Sequence, residues 1–304
     1  MKVSIVGAGA VGATLAQRVL ESGIADVVLI DIAKDLAIGK AFDLLDASPI
    51  IAHERMITGT DDYSQTASSD IIVITAGFPR KPGMTREDLI AKNVSIVKEV
   101  SDNIKKYSPG SIVIVVTNPL DVMTYLVFKR TGFGRKKVFG MAGVLDSSRL
   151  IYLISHELKV PRSSVRTLIL GSHGDTMVPL VSQTFVSDRP VTEVMPKDKL
   201  DAIIQRTRDR GAEIVKLFGS GSAYYSPSAA VFKMIDVILK DKKETLVISA
   251  CLDGEFALKD VAIGVPCKLG RSGIEEIIVP KMSKEEDAAF RESAEAIKSS
   301  IGIL

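Results

Sequence analysis

In the first half of the chain, short runs of apolar residues alternate with longer segments whose apolar positions recur every three or four residues. The short runs are continuous in Val and Ile, as expected of strands covered on both faces of a parallel sheet. The longer segments have the spacing of helices. This order predicts a doubly wound α/β fold. The predicted strands are Met1–Val6, Val27–Ile30, Ile71–Thr75, Ile112–Thr117 and Lys137–Gly140, and the predicted helices are Val11–Ser22, Lys34–Ala47, Glu87–Tyr107 and Leu120–Thr131.

After about Gly143 the pattern becomes a mixture of long helices and antiparallel strands, which is typical of an α+β arrangement. We therefore predict two domains: a Rossmann-type dinucleotide-binding domain over residues 1–143 and a substrate domain over residues 144–304. Because no repeat or low-complexity linker separates them, we expect a close interface. The predicted helices are Asp146–Leu158, Lys197–Phe218, Ser226–Lys240 and Lys284–Ser300, and the predicted strands are Val165–Leu170, Thr245–Leu252, Val261–Leu269 and Gly273–Ile278.

The composition narrows the class of protein. With 46% hydrophobic and 25% charged residues, the 304-residue chain is typical of a globular protein with an ample core. Its 39 basic and 37 acidic residues give no support for nucleic-acid binding. Two cysteines are too few for a disulfide framework, and no Cys/His cluster has zinc spacing, so no metal is expected. No apolar run reaches the ~18 residues of a membrane span. The first residues predict a strand, a Gly turn and a helix rather than a signal peptide. We therefore expect a cytoplasmic protein.

The first turn has the G-x-G-x-x-G pattern, from Gly7 through Ala8, Gly9, Ala10 and Val11 to Gly12. The first Gly allows a tight turn, the second lets a pyrophosphate approach the backbone, and the third permits close helix packing.

Asp31 follows at the end of the second predicted strand, where a carboxylate would bind the adenosine ribose hydroxyls. An acid at a helix N-terminus is the alternative interpretation. A carboxylate there would repel the 2′-phosphate of NADP, so NAD is favoured, although Lys34 is close enough in sequence to reach that phosphate.

His173 lies in the segment Gly-Ser-His-Gly-Asp, residues 171–175. Imidazole can accept and return a proton near neutral pH. Asp146 and Arg149 are three residues apart and share a helix face. They could form an ordinary surface ion pair, or Asp146 could orient the imidazole while Arg149 binds a substrate carboxylate through two hydrogen bonds. Asp175 is the alternative partner of His173.

Two loops add candidate ligand contacts. Asn118 directly follows the fourth predicted strand, at the carboxyl edge where open α/β sheets bind ligands, although an ordinary Asn-Pro turn would look the same. Residues 77–86 hold two prolines, two glycines and the cations Arg80, Lys81 and Arg86. This segment is either a solvated basic loop or a lid that carries charge onto a bound anion.

Taken together, these motifs resemble the lactate/malate dehydrogenase family, and the resemblance covers essentially the whole chain in order. It implies that His173 is the proton acceptor and donor, with Asp146 as its partner. It implies that Arg149 binds the substrate carboxylate, Arg86 polarises the reacting carbonyl, and Asn118 contacts the substrate. The cofactor contacts that the turn and the resemblance imply are Gly7, Ala8, Gly9, Ala10, Val11, Gly12, Asp31, Asn93, Val116, Thr117 and Asn118.

Arg80 decides the branch of this family. Lactate-type members carry an uncharged residue such as Gln at that point, whereas malate-type members carry Arg. The chain therefore resembles the lactate-dehydrogenase-like malate dehydrogenases, which implies reversible NAD-dependent oxidation of (S)-malate to oxaloacetate, a tricarboxylic acid cycle reaction, in a homodimer or homotetramer. An L-lactate dehydrogenase and a non-catalytic nucleotide sensor are the alternatives. The apolar helices Asp35–Leu45 and Ser226–Ile238 could contact neighbouring subunits, but packing within the core explains the same residues.

Overall fold

The computed structural model describes residues 1–78 and 86–302, and the side chains of residues 86–89 are outside that description. The predicted loop cations Arg80 and Lys81 therefore lie outside the described residues. Arg86 begins a helix, but its side chain is likewise outside them.

The first half forms a parallel sheet in the strand order β3-β2-β1-β4-β5-β6. Strand β1 is central, because it pairs in parallel with both β2 and β4. The predicted α/β fold class is confirmed. The strands are β1 (Lys2–Val6), β2 (Asp26–Ile30), β3 (Ile57–Thr60), β4 (Ile71–Ile74), β5 (Ile112–Val115) and β6 (Val138–Gly140), and the helices are α1 (Ala10–Glu21), α2 (Lys34–Ile51), α3 (Arg86–Tyr107) and α4 (Leu120–Thr131).

The apolar strand runs are explained by burial on both sheet faces. Val3 and Ile5 of β1 belong to one core cluster, whereas Val6 belongs to another. Successive side chains of a strand point to opposite faces, so apolar residues are favoured at every position when both faces are covered. The buried polar residue of β1, Ser4, has the Ser69 hydroxyl as its hydrogen-bond partner at 2.7 Å.

The sheet does not end with the first half. β6 pairs in antiparallel fashion with β12, with Ser249 opposite Gly140 and Ala250 opposite Phe139. The described part of the chain thus contains a sheet of eleven strands, shared by both halves. The remaining elements are α5 (Gly143–Leu158), β7 (Val165–Arg166), β8 (Ile169–Gly171), β9 (Met177–Pro179), β10 (Phe185–Val186), β11 (Arg189–Pro190), α6 (Val191–Val194), α7 (Lys197–Phe218), α8 (Tyr225–Leu239), β12 (Glu244–Asp253), β13 (Lys259–Gly270), β14 (Gly273–Ile277) and α9 (Lys284–Ile301).

Several elements differ from the sequence prediction. Strand β3 was not predicted, because two of its four residues are threonines and one is Gly59. That glycine allows α2 to approach closely, since a Cβ there would lie 2.2 Å from the carbonyl oxygen of Ala37. Helix α2 continues past the predicted end at Ala47 through Pro49. The predicted strand Val165–Leu170 divides into β7 and β8, which belong to different sheets.

Among the described residues, no helix is both long enough and apolar enough to cross a membrane.

Candidate active site

The glycine turn between β1 and α1 fits a dinucleotide phosphate. Gly7 has φ +108°, a conformation that side-chain-bearing residues rarely adopt. A Cβ at Gly12 would lie 1.9 Å from the carbonyl oxygen of Gly7, so the helix packs too closely for a side chain. A Cβ at Gly9 would instead meet no atom of the described chain within 4 Å. The turn therefore leaves open space at the position where the pattern predicts a pyrophosphate.

Asp31 lies directly beside this turn. Its Oδ2 accepts a hydrogen bond from the backbone N–H of Ala8 at 2.7 Å, and its Oδ1 accepts one from Ala33 at 2.9 Å. Lys34, the alternative partner for a 2′-phosphate, has an ion-pair partner in Asp61 at 3.2 Å. Asp31 is thus fixed between the turn and the start of α2, and its contact with the ribose hydroxyls stays a prediction.

Asn93 is buried, and its side chain bonds to backbone rather than facing open space. Its Oδ1 accepts from the N–H of Phe78 at 2.7 Å, and its Nδ2 donates to the carbonyl oxygen of Asn118 at 2.7 Å. Asn93 thus connects the two predicted ligand loops. Its contact with the cofactor stays a prediction.

The turn after β5 has an exposed Asn118 side chain, whereas Val116 and Thr117 before it are buried. The Thr117 hydroxyl donates to the carbonyl oxygen of Ala76 at 2.6 Å, which holds this turn against the end of β4. Asn118 is therefore the side chain of this turn that is free to meet a ligand.

His173 and Asp146 meet although they are far apart in sequence. His173 Nδ1 lies 2.8 Å from Asp146 Oδ2, and the Asp146 side chain is only 2% exposed. Burial of the imidazole lowers the pKa of His173, but the charge of Asp146 and its hydrogen bond outweigh burial and raise that pKa above the ordinary value. Because Nδ1 is occupied, Nε2 is the nitrogen left for proton exchange with a substrate.

Arg149 lies on the other side of the same carboxylate. Its nearest guanidinium nitrogen is 3.6 Å from Asp146 Oδ1, and its side chain is 13% exposed. Burial lowers the pKa of Arg149, although Asp146 opposes the shift. The Nε of Arg149 is buried with no hydrogen-bond partner among the described residues. The Asp146–Arg149 pair is therefore not a surface ion pair, and Asp175, the alternative partner of His173, is exposed.

Sequence reasoning missed a second buried carboxylate at this site. Asp121, in the first turn of α4, accepts the backbone N–H of His173 at 2.8 Å and the Ser249 hydroxyl at 2.7 Å. Burial raises the pKa of Asp121 to about 6, while these hydrogen bonds oppose the rise. An aspartate directly after Asn-Pro-Leu carries no local sequence signal of this contact.

The C-terminal helix also holds the His173 loop. The Ser293 hydroxyl of α9 accepts the N–H of Ser172 at 2.8 Å, and it lies 3.1 Å from the Thr176 hydroxyl. Ser293 is buried, so the loop is fixed on both sides of His173. A serine on an amphipathic helix gave no signal of this role.

In the described part of the chain, no group of His, Cys, Asp and Glu side chains is arranged to hold a metal ion. The two cysteines are buried, and burial raises the pKa of Cys251 to about 12. Both therefore behave as apolar core residues.

Two family models match the chain in sequence. Residues 1–140 match the lactate/malate dehydrogenase NAD binding domain, and residues 143–303 match the lactate/malate dehydrogenase alpha/beta C-terminal domain. The chain belongs to the lactate/malate dehydrogenase family. Its cofactor is NAD, as the carboxylate at Asp31 predicted.

Individual relatives extend this finding. A malate dehydrogenase of Desulforudis audaxviator is 50% identical over 98% of this chain and 96% of its own length. The apo malate dehydrogenase of Picrophilus torridus has a TM-score of 0.96 at 40% identity, covering 99% of this chain and 96% of that one. A lactate dehydrogenase of Cryptosporidium parvum, solved with lactic acid and nicotinamide adenine dinucleotide, also has a TM-score of 0.96, at 34% identity, covering 99% and 97%.

Proposed function

We propose that the chain is an NAD-dependent malate dehydrogenase that interconverts (S)-malate and oxaloacetate. The contact between His173 and the buried Asp146 carboxylate carries this proposal, because it supplies a proton acceptor beside the cation Arg149. The malate dehydrogenases at 50% and 40% identity support the choice of substrate.

His173 performs the proton transfer of the reaction. When bound, NAD supplies the acceptor or, in its reduced form, the donor of a hydride. In oxidation, Nε2 of His173 takes the hydroxyl proton, and the Asp146 carboxylate stabilises the resulting imidazolium. In reduction the imidazole starts protonated, which the raised pKa of His173 favours.

The cofactor and substrate sites divide between the two halves. We assign the glycine turn, Asp31 and the strand ends of residues 1–143 to the cofactor, and residues 144–304 to most of the substrate site. Arg149 binds the C1 carboxylate, Arg86 polarises the carbonyl, and Asn118 contacts the substrate. Arg80 meets the second carboxylate of oxaloacetate, which pyruvate lacks.

Lactate dehydrogenase is the second candidate, because backbone likeness does not separate the two activities. The malate and lactate dehydrogenases compared above have the same TM-score to this chain. The choice therefore depends on side chains in the segment that contains Arg80.

Replacing that residue tests the substrate. With pyruvate, Arg80 would face a methyl group unpaired, and sites built on such polar pairing discriminate by about 10⁴ against a ligand that lacks the group. Arg80→Gln is expected to lower kcat/KM for oxaloacetate, to raise it for pyruvate, and to leave NADH binding unchanged. Lys81→Gln is the matched control. A loss of oxaloacetate preference in Lys81→Gln but not in Arg80→Gln would show that Lys81 has this role.

An activity assay of the wild-type protein distinguishes the proposed enzyme from a non-catalytic nucleotide sensor. Absorbance at the NADH band is followed with oxaloacetate, pyruvate and other 2-oxo acids. NADH binding without turnover of any of them would favour the sensor.

We also propose that the chain forms a homodimer or homotetramer. Helix α2 buries Ala37 and Ala41 inward, yet Phe42 is 63% and Ile50 87% exposed. Large apolar side chains exposed on the same helix mark an interaction surface, and a second copy of the chain would cover these. The predicted contact through Ser226–Ile238 has less support, because α8 buries most of its apolar residues within the subunit. Sedimentation at micromolar concentration tests the proposed oligomer: a single 32.7 kDa species would refute it.

The cytoplasmic location stays a prediction.

A further inference from the structure

The peptide unit between Gly7 and Ala8 is held at both ends. The Thr75 hydroxyl donates to the Gly7 carbonyl oxygen at 3.0 Å. On the other side of the same unit, the Ala8 N–H donates to Asp31 Oδ2 at 2.7 Å. Because a peptide unit is planar, these two contacts fix its orientation.

The next peptide unit, between Ala8 and Gly9, is held at one end only. The ammonium of Lys40 donates to the Ala8 carbonyl oxygen at 2.6 Å. The N–H of Gly9, at the opposite end, has no partner within residues 1–78 and 86–302. In a trans peptide the C=O and the N–H point in opposite directions, so the Lys40 contact determines where the Gly9 N–H points.

The support for Lys40 is itself well fixed. Lys40 lies on α2, and α2 approaches β3 so closely at Gly59 that a Cβ there would lie 2.2 Å from the Ala37 carbonyl oxygen. The side of the turn at Gly9 is open, since a Cβ there would meet nothing within 4 Å. The free N–H and the open space belong to the same residue.

We propose that Lys40 is a positioning residue for the cofactor: it holds the Ala8–Gly9 peptide unit so that the Gly9 N–H donates to the pyrophosphate of NAD. Its positive charge also adds to the attraction of the turn for that anion. The proposal rests on the proposed role of the glycine turn in binding NAD.

The test compares Lys40→Met, which keeps the apolar stem, with the wild type. A poorly oriented Gly9 N–H would weaken the hydrogen bond to the charged pyrophosphate, and we expect the Kd for NADH to rise about tenfold, which corresponds to roughly 1.4 kcal/mol. At saturating NADH the kcat should stay at the wild-type value, because Lys40 touches no reacting group. In the protein without cofactor, hydrogen exchange at the amides of residues 7–12 should become faster.

Lys34→Met is the matched control. It removes a lysine from the same helix whose ammonium pairs with Asp61 and does not touch the turn. We expect its Kd for NADH and its amide exchange to equal those of the wild type.

Three results would overturn the proposal. One is an unchanged Kd for NADH in Lys40→Met. Another is a fall in kcat as large as the loss of affinity. The third is amide exchange at residues 7–12 as slow in Lys40→Met as in the wild type, which would show that Lys40 does not hold the turn. Failure of the wild-type protein itself to bind NADH would refute the proposed function rather than the role of Lys40.

Discussion

The glycine turn and the His173 site are built in opposite ways. The turn uses backbone groups of six consecutive residues, Gly7 to Gly12, with Asp31 beside them. The His173 loop instead depends on side chains far away in the chain, with Asp121 52 positions and Asp146 27 positions from His173.

This difference determines how each site can fail. A site made of backbone groups fails when an added atom occupies the space that the backbone or its ligand needs. A site made of buried charges fails when one charge loses the partner that sets its protonation. The following predictions test this contrast.

The largest effect is expected from His173→Asn. Asparagine cannot take or give the proton, so kcat for oxaloacetate reduction should fall by about 10² to 10⁴. The Kd for NADH should stay unchanged, because the glycine turn is untouched. His156→Asn is the matched control, since His156 is exposed and stacks on Tyr152. Near-wild-type turnover in His173→Asn would end the assignment of this residue as the proton carrier.

Asp146→Asn should change the pH profile. Burial and the Arg149 charge lower the pKa of His173, and without the Asp146 charge only the charge of Asp121 opposes them. Reduction needs the protonated imidazole, which exists below its pKa. The alkaline limb of kcat/KM for oxaloacetate should therefore move to lower pH. Asp175→Asn, which changes an exposed carboxylate of the same loop, should leave the profile in place; a shift there instead would make Asp175 the partner of His173.

Two alanine substitutions should separate folding from cofactor binding within the turn. Gly12→Ala places a Cβ 1.9 Å from the Gly7 carbonyl oxygen, so the free protein itself should lose about 1–3 kcal/mol of stability. Gly9→Ala adds a methyl group to open space. It should keep the wild-type Tm yet raise the Kd for NADH at least about tenfold, because that space is needed by the pyrophosphate. Gly110→Ala, which also adds a methyl group to open space but lies between α3 and β5, away from the turn, serves as the control. Equal losses of Tm in Gly9→Ala and Gly12→Ala would contradict the expected separation of folding from cofactor binding within the turn.

The smallest effect is expected from Ser249→Ala. Its hydroxyl stabilises the charged form of Asp121, so its loss should raise the pKa of Asp121 further above about 6. A neutral Asp121 supports the imidazolium less, and the alkaline limb of reduction should shift to lower pH by less than in Asp146→Asn. Ser101→Ala removes another buried serine hydroxyl, one that bonds only within α3. If Ser249→Ala and Ser101→Ala have the same pH profile, Asp121 does not influence the protonation of His173.

The sequence predicted most of the fold and the residues with local motifs. Hydrophobic periodicity located the strands of the parallel sheet, since burial on both faces leaves continuous apolar runs. It missed β3, where burial is incomplete and Thr and Gly replace the branched apolar residues. The family, the cofactor and the fold class are confirmed.

The rest of the site could not be predicted, because it depends on distant contacts. Nothing near Asp121, Ser249 or Ser293 in sequence indicates that they hold the His173 loop. Lys40 resembles any solvated lysine of a surface helix, and only the packing of α2 places it on the Ala8 carbonyl. Such roles arise from the path of the chain in space rather than from residue spacing.

The pairing of β6 with β12 has a consequence for how the protein unfolds. A hydrogen-bonded sheet that runs through both halves resists separating them by a hinge, because rotation would break its ladder of bonds. A fragment ending at residue 143 would leave β6 as a bare sheet edge, and Phe139 would lose the second-half residues that share its core cluster. Such edges invite aggregation. The two halves should therefore denature together in one cooperative transition, as a single unit of stability.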